Sequence, residues 1–262
     1  MLEHYLQYFS FGLSHGFANV SYMKIFLVGA TGATGRLLAT RLHANDHRLN
    51  LVVRSAGRLS DCLKGQKGVN VTEDALLDLS DAALAEQVRD CDAVALCLGH
   101  NLSWKGIFGQ PRRLVTDATR RLCAAIRANS PKAPVKFLLM NTTGNRNRDL
   151  QEPISFAQHC VIFLLRLLLP PHPDNEQAAE FLRSEVGAGD GMIEWVAVRP
   201  DSLIDESELS AYTMHASPTR SAIFDAGKTS RINVAACMAR LIEDATLWKR
   251  WKGQMPVIYN EE

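Results

Sequence analysis

The clearest chemical signal is seven residues, Gly29-Ala-Thr-Gly-Ala-Thr-Gly35. Three glycines at this spacing are weak evidence in isolation, and the flanking sequence gives them meaning. Lys24–Gly29 (KIFLVG) reads as a buried strand, and Thr34–Ala44 as a helix with Leu37, Leu38 and Leu42 on one face. Between a strand and a helix, Gly29 permits a tight turn and Gly32 lets backbone approach a pyrophosphate. Gly35 then allows the helix to pack closely on the strand. The unpaired N–H groups and positive dipole end of the helix, at Ala33 and Thr34, would receive phosphate oxygens, with hydroxyls from Thr31 and Thr34 assisting.

A second signal lies at the end of the next strand, Leu49–Val53. An acidic residue about 20 positions past the glycines would hold a ribose 2′-hydroxyl. Arg54 stands there instead, with Ser55 and Arg58 close by. A planar guanidinium suits a 2′-phosphate, so the pattern favours NADP(H) over NAD(H) as cofactor.

These residues need a scaffold, and the remaining pattern supplies one. A third strand falls within Val69–Leu77, where VNVT and ALL compete for it. Ala82–Val88 is helical, Ala93–Leu98 is a fourth strand, and Arg112–Ala128 is a long helix. Val135–Met140, Ile193–Val198 and a short Val257–Tyr259 complete the strands. Apolar strands alternating with helices predict an α/β fold: a Rossmann-type, doubly wound parallel sheet in three α/β/α layers, as one domain. That domain is expected over residues 23–262, with an apolar helical insertion at about 145–173. Residues 1–22 read as a peripheral extension without the basic and apolar regions of a signal peptide.

The composition narrows the function classes. Hydrophobic residues make up 47% of the 262 and charged residues 22%, as in an ordinary globular enzyme. A net charge of +1 without a basic block argues against nucleic acid or an anionic membrane as partner. The six cysteines form no Cys-x-x-Cys pair, which suits buried, reduced thiols in a cytoplasmic protein. The apolar run Cys160–Leu169 is about half the roughly 20 residues a transmembrane helix needs, so no spanning segment is expected. It reads as a buried or partner-facing helix, able to bind a protein or a second copy through residues 154–169; an interfacial membrane helix is the lesser alternative.

Other patterns fail for lack of context. Gly12-Leu-Ser-His-Gly16 has the form of a hydrolase elbow but precedes the first strand. His43 and His47 lack a third ligand and read as a solvated helix end, so no metal is expected. His100 reads as a loop histidine, and His159 and His172 have no evident partner.

Taken together, GATGATG, VVRSAGRL (52–59), Leu77-Asp78-Leu79, DAVALCLG (92–99), MNTTG (140–144) and WVAVRPDSL (195–203) resemble atypical short-chain dehydrogenase/reductases. Among these the chain resembles the NAD(P)H-binding flavin reductase and biliverdin reductase B-like proteins, which LSAYTM (209–214) and SRIN (230–233) also resemble. The resemblance implies that Asp78 and Leu79 border the adenine, and that Cys97, Leu98 and Gly99 line the cofactor ribose. Asn141, Thr142 and Thr143 would lie beside the nicotinamide, with Pro200 and Leu203 closing over it. Thr142 matches the family's serine position and is the candidate catalytic residue. The family's Tyr-x-x-x-Lys is missing, and Glu176 stands in the lysine's place. The expected activity is therefore NADP(H)-dependent reduction of a small planar acceptor needing little proton assistance, such as a flavin or quinone. A non-catalytic, NADP(H)-sensing protein like the NmrA-like relatives is the alternative, and a nucleotide-sugar epimerase a third.

Overall fold

The computed structural model describes residues 22–100, 104, 108–152 and 154–261. The N-terminal segment, including Gly12–Gly16, lies outside these apart from Tyr22. The first half of the chain alternates β1 (Lys24–Val28), α1 (Ala33–Ala44), β2 (Arg48–Val53), β3 (Val69–Glu73), α2 (Asp81–Val88), β4 (Ala93–Leu96), α3 (Leu114–Ala128) and β5 (Val135–Met140). The second half contains α4 (Phe156–Leu168), α5 (Pro171–Phe181), β6 (Ile193–Pro200), β7 (Ser202–Ile204), β8 (Tyr212–His215), β9 (Lys228–Ser230), α6 (Arg231–Glu243), α7 (Ala245–Trp251) and β10 (Val257–Asn260).

Eight strands form one sheet in the order β3-β2-β1-β4-β5-β6-β10-β8, parallel except for β8 on the edge; β7 and β9 pair separately. Side chains alternate across the sheet and create two cores. Phe26, Val94, Leu96, Phe137 and Trp195 point to the layer containing α2, α3 and α5. Ile25, Leu27, Leu51, Leu138 and Val196 point to the layer with α1, α6 and α7. This is the expected three-layer fold. Side-chain caps start several helices where the sequence places a small polar residue: Ser80 for α2, Ser155 for α4, Ser230 for α6 and Asp244 for α7.

Several local expectations change. The third strand is the VNVT alternative, while the ALL residues turn so that Leu76 is buried. β6 continues to Pro200; β7 and β8 were not legible because each is short and mostly half-buried, and β9 because it is three polar residues long. The apolar insertion helix is not buried: within α4 only Ile162 is, whereas Phe156 is 85%, Leu167 64% and Leu168 63% exposed. A helix apolar on most of its circumference has more such surface than one contact can cover. Among the described residues no helix is long and apolar enough to cross a membrane. The cysteines divide likewise: Cys91, Cys123 and Cys237 are buried, but Cys62 and Cys160 are exposed, and all are unpaired. His47 is not solvated. It is 2% exposed, accepts the Met23 N–H at Nδ1 (3.2 Å) and meets Glu243 through Nε2 (3.2 Å).

One buried ion pair ties the second half together. Arg199 on β6 is fully buried and meets both carboxylate oxygens of Glu152, at 2.6 and 3.0 Å. It also donates to the Asn145 and Met255 carbonyls at 2.8 and 2.6 Å, so the segment after β5 is fastened to β6 and to the approach to β10.

Candidate cofactor and acceptor site

The chain leaves β1 for β2 on one side and, later, for β4 on the other, so the strand order reverses at β1. In such sheets a crevice opens beyond the carboxyl ends of the strands at that point. The Gly29–Gly35 turn fills its floor. Gly29 has φ +91°, and a Cβ there would collide with the Cys97 carbonyl. A Cβ on Gly35 would collide with the Gly29 carbonyl, so helix and turn touch backbone to backbone. Gly32 is different: its N–H donates to the Gly29 carbonyl (2.8 Å), and it serves as the N-cap of α1 without supplying a side-chain acceptor. Gly32 and Ala33 are exposed, Thr31 is half-buried and Thr34 buried. The first turn of α1 also contains no acidic residue, which leaves its N–H groups suited to an anion.

Arg54 follows β2 directly and is exposed, as is Arg58, which closes a single turn whose N–H bonds the Ser55 carbonyl (3.2 Å). Neither guanidinium has a carboxylate partner among the described residues. On the next loop Asp78 is exposed and Leu79 half-buried. That loop is held by a residue the sequence reading missed. Arg121 on α3 donates to the carbonyls of Leu77 (2.8 Å) and Leu79 (2.5 Å) and to Asp81 (2.8 Å). An arginine within an otherwise amphipathic helix was the only signal available.

The Cys97 N–H donates to the Val28 carbonyl (2.9 Å), extending the β1–β4 pairing up to Leu98 and the exposed Gly99. Burial pushes the Cys97 thiol up to about 12, so it is an unreactive wall residue. His100 is more than a loop histidine: its Nε2 lies 2.8 Å from Asp174, whose carboxylate also accepts the Val115 and Thr116 N–H groups at the start of α3. Burial opposes ionisation of Asp174, but these hydrogen bonds outweigh it and hold the carboxyl below its ordinary range.

Beyond β5 the polar residues divide into two kinds. Asn141 is buried and donates to the Asn175 carbonyl (2.9 Å), and Thr143 is buried and bonds Asp201 (3.1 Å). Thr142 is half-buried, and its hydroxyl accepts the Gly144 N–H at 3.2 Å. Pro200 is buried at the end of β6, and Leu203 is half-buried in β7.

Glu176 receives Nε and Nη2 of Arg166, each at 2.8 Å, and faces His172 at 3.5 Å. Burial opposes its charge, yet His172 and Arg166 pull the carboxyl down to about 2. His172 and Glu176 are four residues apart on one helix face, a spacing visible in sequence but without meaning until α5 was placed against α3 and α4. Glu176 borders a cavity of about 210 Å³, shared with Gly144, Arg146, His159, Ile162 and Arg166. A neighbouring cavity of about 460 Å³ includes Thr143, Gly144, Arg146, Ile154, Pro218 and Phe224.

A switch-point crevice floored by a glycine turn defines a Rossmann-type dinucleotide-binding protein. The chain belongs to the NAD(P)H-binding family, which matches residues 29–245. Solved structures share the fold at low identity. An oxidoreductase from Lactococcus lactis is 17% identical with a TM-score of 0.63, over 92% of each chain. A short-chain dehydrogenase/reductase from Veillonella parvula, solved in complex with NADP, is 15% identical with a TM-score of 0.64, over 92% of this chain and 95% of that one. An anaerobillin reductase from Escherichia coli is 16% identical with a TM-score of 0.63, over 91% and 98%. No curated protein matches the sequence. The chain thus shares its fold with these oxidoreductases, a short-chain dehydrogenase/reductase among them.

Proposed function

We propose that this protein is an NADP(H)-dependent oxidoreductase that reduces a small planar acceptor, such as a flavin or quinone. The observation that carries the reading is the backbone contact of Gly35 with Gly29 and of Gly29 with Cys97, beneath an uncapped helix start. Only glycine fits there, and the close backbone approach it allows would suit a pyrophosphate. Ala33 and Thr34 would offer backbone N–H groups to the phosphates, with Thr31 at the side. Arg54, Ser55 and Arg58 would take the 2′-phosphate, since both guanidinium groups lack an acidic partner among the described residues. Asp78 and Leu79 would border the adenine, and Cys97, Leu98 and Gly99 the ribose. Asn141 and Thr143 shape the rim, Thr142 would hydrogen-bond the acceptor, and Pro200 and Leu203 would close over the ring.

When bound, the reduced nicotinamide supplies a hydride; the protein supplies orientation and a dry pocket. The two cavities around Gly144 and Arg146 would take the acceptor, roofed by α4. The test is titration with NADPH and NADH, followed by NADPH oxidation with FMN and a naphthoquinone. Binding with turnover of either acceptor is the expected result. Binding without turnover would favour a cofactor-sensing, partner-binding protein, a reading supported by the exposed Phe156, Phe163, Leu164, Leu167 and Leu168 of α4. No binding would sink both.

A further inference from the structure

We infer that Arg146 is the anion anchor of the acceptor site, and that the acceptor therefore bears a phosphate or carboxylate on an arm of its planar ring. This rests on the oxidoreductase reading above and adds to it the charge of the substrate. Two cavities adjoin at the end of β5, one of about 210 Å³ and one of about 460 Å³. Gly144, Arg146, Ile154 and Ile162 line both, so these four residues form the wall where the cavities meet.

The charges around the cavities cancel except at Arg146. Of the carboxylates in their walls, Glu152 is held by Arg199, Glu176 by Arg166 and Asp225 by Arg220, at 2.6, 2.8 and 2.9 Å. Glu180 takes Arg183 at 2.7 Å and Arg148 at 3.5 Å, and Arg183 also meets Asp149 at 2.7 Å, so those four charges balance as well. Arg146 is exposed and pairs with no carboxylate among the described residues. One positive charge is left over, on the wall that the two cavities share.

The backbone that carries this cation is fixed. Asn145 and Asn147, on either side of it, are both buried. The Asn145 N–H donates to the Thr142 carbonyl (3.0 Å), and the Asn145 carbonyl accepts Arg199 (2.8 Å). The Asn147 N–H donates to the Glu152 carboxylate (2.8 Å). Only the Arg146 side chain reaches outward from this clamp, so less freedom is lost when it takes an anion than on a loose loop. Its planar fork of N–H donors matches phosphate and carboxylate oxygens alike.

The apolar walls fit the remainder of such an acceptor. Ile154 and Ile162 flank the boundary, and Phe224, 61% exposed, offers a bare aromatic ring to the larger cavity. A planar ring can stack there, in a volume within the range of about 300–1,000 Å³ usual for small-molecule sites. The smaller cavity falls below that range and suits an arm rather than a ring.

The experiment compares acceptors that share a ring and differ in charge. NADPH oxidation by the whole protein is followed with FMN against riboflavin, for phosphate, and with carboxymethylflavin against lumiflavin, for carboxylate. In at least one pair the anionic member should have a KM lower by about tenfold, the scale of one charged hydrogen bond. The pair that shows the preference identifies the anion. In Arg146→Gln the preference should shrink to within about twofold, through KM and not kcat, and in Arg146→Glu the neutral member should be favoured. NADPH affinity within about threefold of wild type shows that each variant is folded. Equal KM values within both pairs in the wild type, or a preference that survives in Arg146→Gln, would overturn the anchor alone. So would turnover of a neutral naphthoquinone but of no flavin. A wild-type protein that binds NADPH but reduces none of these acceptors would instead overturn the underlying reading, and this inference with it.

Discussion

The turn after β1 and the rim after β5 sit at the same end of the sheet but are built on different principles. At the turn the critical contacts are backbone on backbone: the Gly29 carbonyl beneath Gly35, and Cys97 beside Gly29. No titratable side chain takes part in those contacts, and the surface of the turn is backbone. At the rim almost every contact is a charged or polar pair reaching across elements: Arg199 to Glu152, Arg166 to Glu176, His100 to Asp174 and Thr143 to Asp201. In the function proposed above, the difference separates two tasks. A phosphate cradle needs closeness, which the absence of side chains provides. An acceptor pocket needs directed charges, which must be held by other charges to remain in place.

The rim should be the more fragile in stability. Glu152→Ala strands the fully buried Arg199, and losing one partner of such a pair costs about 3–5 kcal/mol. Urea denaturation should show the loss; a change within about 0.5 kcal/mol would mean that the Asn145, Met255 and Ala216 carbonyls satisfy the guanidinium without Glu152.

The turn should be the more fragile in binding. Gly29→Ala forces a side chain into φ +91° and against the Cys97 carbonyl, a strain of about 1–3 kcal/mol. NADPH affinity should fall more than tenfold by fluorescence titration, beyond what the lost stability explains. Full-strength binding would show that the turn is not the cradle.

A smaller effect should separate the two nicotinamide cofactors. Arg54→Ala should weaken NADPH by about tenfold, the scale of one charged hydrogen bond, and leave NADH within about twofold. Equal weakening of both would place Arg54 outside the 2′-phosphate contact.

The smallest effect concerns acid. The Glu176 carboxyl is lowered from 4.5 to about 2 in the fold, so its stabilising contribution is complete above pH 4.5 and fades as pH falls toward 2. The stability gap between the wild type and Glu176→Gln should therefore close over that window. A gap unchanged down to pH 2 would mean that the pair acts through packing and not through charge.

The legibility of the two regions follows the same division. The Gly29–Gly35 turn, Arg54 and the strands through β6 were readable because each signal is local: a spacing of glycines, a residue at a strand end, an apolar run. The rim was not. Asn141 and Thr143 matched a family pattern, yet their side chains serve Asn175 and Asp201. His100, His172 and Arg121 looked solitary because their partners lie 74, 4 and 44 residues away, and the one near partner became meaningful only once α5 was placed. The exposure of α4 was likewise hidden, since an apolar run reads the same whether covered or bare.

By itself the sequence determined the three-layer α/β architecture, the position of the Gly29–Gly35 turn and the cation beyond β2. Periodicity, glycine sterics and strand-end chemistry act over a few residues, so order along the chain is enough to express them. Tertiary structure alone decided that Glu176 faces His172 and Arg166, that Arg121 pins the Leu77–Leu79 loop, and that the Leu-rich helix stays uncovered. Those features depend on which side chains meet across elements, and long-range pairing of charges leaves no periodic trace in one chain.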